Sequence, residues 1–201
     1  MHAVQTASAL HVTNSFGEFQ IIVFRDPQTG AEHVALTKGH VAGSAGILCR
    51  VASECITGMV LDAADCDCLS QLRFSLTLID EMGSGVLILL RQEGRGHGLT
   101  TKIKALVNKN QGDNTFFAVE RLGLPSDCRT YDIAAQILQA LKVDSVRLIT
   151  SNPDKVSNLS QLGIVITKVI PTPRFVTSRN ERHLMAKVAR GHRFSEDAPI
   201  A

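Results

Sequence analysis

No run of about 18 apolar residues occurs in this 201-residue chain, which excludes a membrane-spanning helix of ordinary length. Neither charge dominates: 21 Lys and Arg against 19 Asp and Glu leave a formal +2, too small a field to draw in nucleic acid or acidic lipid. Any anion must be bound by a local cluster. The N-terminal stretch MHAVQTASALHVTNSFGEF lacks the basic start and sustained apolar core of a secretion signal. The cysteines number five, an odd count, and without such a signal they argue against a disulfide framework. Thiols of a reducing compartment are more often metal ligands or small buried residues. There is no tryptophan, no internal repeat, no low-complexity tract and no long linker. The expectation is a soluble, cytoplasmic chain with no nucleic-acid and no membrane partner. At 44% apolar residues disorder is excluded, and the length suffices for a core without disulfides.

The texture changes along the chain. Up to residue 62, short runs rich in Val, Ile and Phe punctuated by Gly and Pro predict strands: GEFQIIVFRD from Gly17, EHVALTKG from Glu32 and ILCRVAS from Ile47. From Leu69, helix and strand alternate. LSQLRFSLTLIDEM predicts a long buried helix, followed by the apolar strand Val86 to Leu90. LTTKIKALVNKNQ predicts a helix with Ile103, Leu106 and Val107 on one face, and YDIAAQILQALKV one that repeats Ile133, Ile137, Leu138 and Leu141. Strand VRLIT, helix KVSNLSQLG, strand IVITKVI, a last helix NERHLMAKVARGH and a tail SEDAPIA complete the chain. This order predicts a single α/β domain over residues 1–201, with mixed sheets and a β-rich N-terminal part.

Three groups of residues carry chemistry. Cys55, Cys66 and Cys68 form C-x10-C-x-C; three thiolates leave a fourth tetrahedral position on zinc open, as a catalytic rather than a structural site requires. The bland alternative is three small buried residues. Cys49 and Cys128 lie outside the spacing and are read as inert. The run Arg91-Gln92-Glu93-Gly94-Arg95-Gly96-His97-Gly98 sits between the strand ending at Leu90 and the helix starting near Leu99. Glycines there let the backbone approach a ligand, a helix N-terminus presents free N–H groups, and arginines bind phosphate in a bidentate way. Neither a Walker loop nor a dinucleotide fingerprint is present. Asp127-Cys128-Arg129 precedes the Tyr131–Val143 helix, and taken singly reads as a cap or surface ion pair.

Together, RVxSEC-[x10]-CDC, RQEGRG, KIxA, NQG, D-x-R, AQIL and T-x-NP-x-K, running from about Arg50 to Lys155 and more weakly to His192, resemble the GTP cyclohydrolase II family. The resemblance implies Cys55, Cys66 and Cys68 as ligands of one Zn²⁺ per chain. It places Arg50, Val51, Ala52, Ser53, Glu54, Gln71, Glu93, Gly94, Arg95, Thr115, Thr150 and Lys155 at nucleotide-binding positions. Asp127 matches a proton acceptor. Arg129 matches a residue proposed as nucleophile toward the α-phosphorus, a role at odds with a guanidinium that stays protonated; a charge clamp on departing pyrophosphate is the other role open to it. Mg²⁺ with the nucleotide phosphates and a homodimer are further implications.

Departures from the family pattern bear on the reaction's end point. Leu106 stands where the family has a tyrosine tied to ring chemistry and deformylation, and isobutyl can neither donate nor orient a proton. Met59 replaces an acid, Asp65 a base, Leu69 a glycine, and His97 an apolar residue. The first reading is a zinc hydrolase that opens the imidazole ring of GTP and releases pyrophosphate, stopping at the formamidopyrimidine. The others are the complete reaction, giving the 2,5-diamino-6-ribosylamino-pyrimidinone phosphate with formate and pyrophosphate; a paralogue acting on another nucleotide in secondary metabolism or pyrimidine breakdown; and a non-catalytic nucleotide-binding regulator.

Overall fold

The structure, a computed structural model, describes residues 3–110 and 116–198. Seven strands form one mixed sheet: β1 (Gln5–Asn14), β2 (Gly17–Arg25), β3 (Glu32–Lys38), β4 (Ile47–Ser53), β5 (Gly85–Leu90), β6 (Val146–Ile149) and β7 (Ile166–Ile170), in the order β1-β2-β3-β5-β4-β6-β7. The pairs β1–β2, β2–β3 and β3–β5 are antiparallel, whereas β5, β4, β6 and β7 are mutually parallel. A short parallel pair, β8 (Arg174–Phe175) with β9 (Asp197–Ala198), stands apart.

Side chains of a strand alternate between faces, so a strand covered on both sides must be apolar almost throughout. β4 meets this demand: Cys49 and Val51 join one core, with Ala134, Ile137 and Leu138 of α4 (Asp132–Ala140) and Leu159 of α5 (Pro153–Gln161). Leu48 turns the other way, to Leu76 and Ile79 of α1 (Cys68–Met82), with Phe19, Leu87 and Ile149. Burying each of the Val, Leu, Ile and Phe side chains stabilises the fold by about 1.5–3 kcal/mol. Arg50 shares the α1 side of β4, which is how a charged residue comes to be buried among apolar strands. At Gly85, which opens β5, an added Cβ would lie 2.9 Å from Ile79 and from the Leu48 carbonyl, so α1 packs against bare backbone there.

The predicted strands and helices mostly appear where the patterns put them, and the mixed α/β sheet is as expected. β1 was not among the predicted strands: nearly all of it is exposed, so it carries no apolar alternation. α5 starts at Pro153, capped by Asn152, whose side chain accepts from the Asp154 N–H at 3.0 Å. The predicted apolar face of α2 (Gly98–Asn110) is not a core face. Ile103 and Val107 are exposed, and Leu106 is half-buried, because α2 packs mainly through Ala105 onto Ala118 and Val119 of the four-residue helix α3 (Phe117–Glu120). α6 (Glu181–Ala189) closes the helical series. Among the described residues no helix is long and apolar enough to cross a membrane.

Candidate active site

Ligands of open α/β sheets bind outside the carboxyl ends of parallel strands. Here β4 delivers Ser53, Glu54 and Cys55, β5 delivers Gln92 to Arg95, and β6 delivers Thr150 to Lys155, all to one cavity of about 330 Å³. The cavity also takes in Cys66, Cys68, Gln71, Asp127 and Arg129. Of the predicted nucleotide-binding residues, Arg50, Ala52, Ser53, Glu54, Gln71, Glu93, Gly94, Arg95, Thr150 and Lys155 line it. Val51 does not: its side chain is in the core, and only its carbonyl takes part, accepting from Lys155 Nζ at 2.5 Å. Thr115 lies outside the described residues.

The thiols come together because β4 ends at a π-helical turn (Ile56–Val60) that folds Cys55 back toward the start of α1. The three sulfurs lie within 4.8 Å of one another. Gly58 in the turn makes this possible: a Cβ there would sit 2.4 Å from Cys66 Sγ and 3.2 Å from Cys55 Sγ. Hydrogen bonds from Cys66 and Cys68 pull the Cys55 thiol far below its ordinary value against the effect of burial, with Lys102 assisting. The same bonds push Cys66 and Cys68 up. Lys102 Nζ donates to Cys55 Sγ at 3.1 Å and to Glu93 Oε1 at 2.9 Å. Burial works against its charge, but these bonds outweigh it and raise its proton affinity. Three converging soft donors, a neighbouring ammonium that favours thiolate, and an open cavity fit a Zn²⁺ ion held on one side only. By contrast, Cys49 is fully buried, its thiol pushed up to about 12 by desolvation.

Glu93 is buried, and both its oxygens are engaged by protein: Oε2 accepts from the Ile56 N–H at 2.6 Å, Oε1 from Gly94 N–H and Lys102. It therefore ties the loop after β5 to the cysteine turn. That loop is bent, with Gly94 at φ 62° and Arg95 at φ 58°; the left-handed conformation costs a non-glycine residue about 1–2 kcal/mol. Gly96 lets the next loop abut it, since a Cβ would lie 3.1 Å from the Cys128 carbonyl group. Cys128 N–H in turn donates to Arg95 O at 2.9 Å. The predicted role of the α2 N-terminus as an anion holder at this site is not what the fold provides. Gly98 lines a separate cavity with Glu54 and Arg91, and α2 meets the main one through Lys102, Ala105 and Leu106.

Asp127 and Arg129 form a two-pronged pair, Nη2 to Oδ2 at 2.5 Å and Nε to Oδ1 at 3.0 Å. Although burial alone would do the reverse, the pair holds Asp127 below the usual carboxylate range and raises Arg129 above its own. Arg50 is buried, donating to Ile149 O at 3.0 Å and to Gln71 Oε1 at 2.5 Å. Burial, then the charges of Arg50 and Arg129, drive the Lys155 ammonium well below its ordinary value. Burial and Arg129 bring Arg95 down to about 10. These cations crowd one wall of the cavity, and an anion placed among them would relieve their mutual repulsion.

Other side chains at the site were not legible beforehand. Lys102 sits within the KIxA block, which hinted at it. Asp67, whose side chain is fully buried, lies between two of the cysteines. His183, Lys187, Arg190, His192 and Phe194 reach the cavity from the C-terminal segment with no motif to mark them. His97, which departs from the family pattern in the loop, is not at the cavity: its Nε2 lies 2.7 Å from Pro125 O.

Equipment of this kind belongs to a hydrolase working on an anionic substrate. Comparison with known proteins narrows the class. The family model described as GTP cyclohydrolase II matches residues 5–171. The chain is 42% identical over 197 residues to GTP cyclohydrolase-2 of Acinetobacter baylyi, covering 97% of this chain and 98% of that one. It is 45% identical over 185 residues to GTP cyclohydrolase-2 of Acinetobacter baumannii, covering 91% and 92%. It is 44% identical over 191 residues to the riboflavin biosynthesis protein RibBA of Chlamydia muridarum, covering 94% of this chain and 45% of that one. The chain belongs to the GTP cyclohydrolase II family.

Proposed function

We propose that this protein opens the imidazole ring of GTP by hydrolysis, as in riboflavin synthesis, and releases pyrophosphate. The observation that carries the reading is the single cavity that brings the three thiols, the Asp127–Arg129 pair and the crowded cations within reach of one ligand. Zn²⁺ held by Cys55, Cys66 and Cys68 would supply the Lewis acidity that makes water a competent nucleophile near neutral pH. Arg50, Arg95 and Lys155 bind the phosphates, with Mg²⁺ as their counter-ion. Gln71, whose amide bridges Arg50 and Asp67, fixes Arg50 in place. Asp127, ionised beside Arg129, accepts a proton, while Arg129 steadies the charge of departing pyrophosphate. Ala52, Ser53, Glu54, Gly94, Thr115 and Thr150 complete the nucleotide contacts.

A specific observation favours ring opening without deformylation. Leu106 lines the cavity, and the chain's single tyrosine, Tyr131, is buried in the core beneath Lys155. No phenol therefore faces the substrate to assist the second hydrolysis. We assign a homodimer in the cytoplasm, with the exposed Leu99, Ile103 and Val107, spaced by one turn along α2, as the supporting surface. Replacing Cys66 by serine tests the metal role: zinc content and GTP turnover should fall together, and full turnover without zinc would end the proposal.

A further inference from the structure

The stretch after residue 171, beyond the family match, touches the loop that carries the cysteines at Ala64, Asp65 and Asp67. Thr177 Oγ1 donates to Ala64 O at 2.7 Å, Arg179 Nε lies 3.6 Å from Asp65 Oδ2, and Lys187 Nζ donates to Asp67 Oδ1 at 2.7 Å. The first two are exposed and contribute little. The third is different, because the Asp67 side chain has no solvent exposure and the Lys187 side chain only 15%. A buried ion pair cannot lose one partner without leaving the other stranded.

Asp67 also does not cap α1, although it occupies the N-cap position. Its second oxygen accepts instead from Gln71 Nε2 at 2.5 Å, and Gln71 Oε1 faces Arg50 Nη2 at 2.5 Å. A continuous relay of hydrogen bonds thus runs from α6 to the guanidinium of Arg50. Gln71 can serve Arg50 with its carbonyl oxygen only while its amide nitrogen is held by Asp67, so Lys187 sets the orientation of Gln71 at one remove. The segment is anchored elsewhere by Arg193 N–H to Ser151 O at 2.8 Å and Ser195 N–H to Thr172 O at 3.1 Å.

We propose that the segment from Thr177 to Ser195 is a latch that walls the nucleotide cavity, and that Lys187 is a positioning residue which orients Arg50 through Asp67 and Gln71. The claim about Arg50 rests on the nucleotide reading given above. On the outer side of the latch, Arg179 faces Asp65 at 3.6 Å.

Three variants in full-length, zinc-loaded protein test this: Lys187→Met, Lys187→Arg, and Lys187→Met combined with Asp67→Asn, which removes the stranded charge should the single variant fold poorly. Arg182→Met, at an exposed position of α6, is the control. Amide exchange over residues 56–68 and 177–195 is measured without nucleotide; kcat, KM for GTP and zinc content are measured separately. Lys187→Met and the double variant should raise KM about tenfold with zinc content and kcat little changed, and accelerate exchange in both segments. Lys187→Arg should restore most of the affinity. Unchanged exchange in residues 56–68, or an unchanged KM in a wild-type background that turns over GTP, overturns the proposal. If wild-type protein does not turn over GTP, the nucleotide reading fails, and the exchange arm still decides whether the latch exists.

Discussion

Replacing Gly58 by alanine puts a methyl group where the thiols meet. The added carbon would lie 2.4 Å from Cys66 Sγ, 3.1 Å from Cys68 Cβ and 3.2 Å from Cys55 Sγ. Ordinary non-bonded contact begins at about 3.5 Å, so Cys66 Sγ must retreat by about 1 Å. Metal–ligand distances tolerate only about 0.2 Å, and three sulfurs of which one has moved by several times that margin cannot bind one ion together. The backbone is not the obstacle. Gly58 has no left-handed φ, and in a helical turn alanine is otherwise favoured over glycine by about 1 kcal/mol. The account therefore predicts that Gly58→Ala folds but loses zinc. Zinc content by elemental analysis should drop severalfold, thermal stability with chelator should match that of chelated wild type, and GTP turnover should fall in proportion to the zinc. A variant that keeps one tightly bound zinc per chain would refute the packing argument, and with it the claim that the glycine exists to make room for the metal ligands.

Lys155→Met should raise KM for GTP roughly 10- to 100-fold, the loss of one charge-assisted contact of about 1.5–3 kcal/mol. The same variant tests the crowding of cations through pH. Because the folded protein depresses Lys155 below its ordinary 10.5, the unfolded chain binds the proton more readily. Wild-type stability should therefore rise as pH climbs from the depressed value toward 10.5, and Lys155→Met should lack that slope in denaturant titrations. Asp127→Asn keeps the shape but removes the proton acceptor, and single-turnover measurements should find the chemical step slowed about 100-fold or more; a smaller effect would leave Asp127 as merely the anchor of Arg129. Leu106→Tyr should increase formate released per ring opened, and an active variant with unchanged formate yield would show that the missing phenol does not set the end point.

Much of this was legible because neighbouring residues in the chain share a task. β2, β3 and β4 announce themselves by alternation, and α4 by Ile137 and Leu138 on its buried stripe. The loop Glu93–Gly94–Arg95 reads as a site because glycines and charges are contiguous after an apolar strand. What escaped depends on contacts the sequence does not order. β1 is exposed along nearly its whole length, so nothing in its composition marks a strand. α2 shows a helical repeat of apolar residues that the fold leaves largely uncovered, and periodicity alone cannot distinguish a core face from a docking face. Asp67 and Lys187 lie 120 positions apart; each alone reads as a solvated charge, and only the fold buries them together.

The central claim is tested most directly by incubating the purified protein, loaded with Zn²⁺ and Mg²⁺, with GTP and measuring ring opening by absorbance, formate and pyrophosphate as separate quantities. The account predicts ring opening with stoichiometric pyrophosphate and little formate. Stoichiometric formate would contradict the assigned end point, and metal-loaded protein that leaves GTP intact would contradict the function itself.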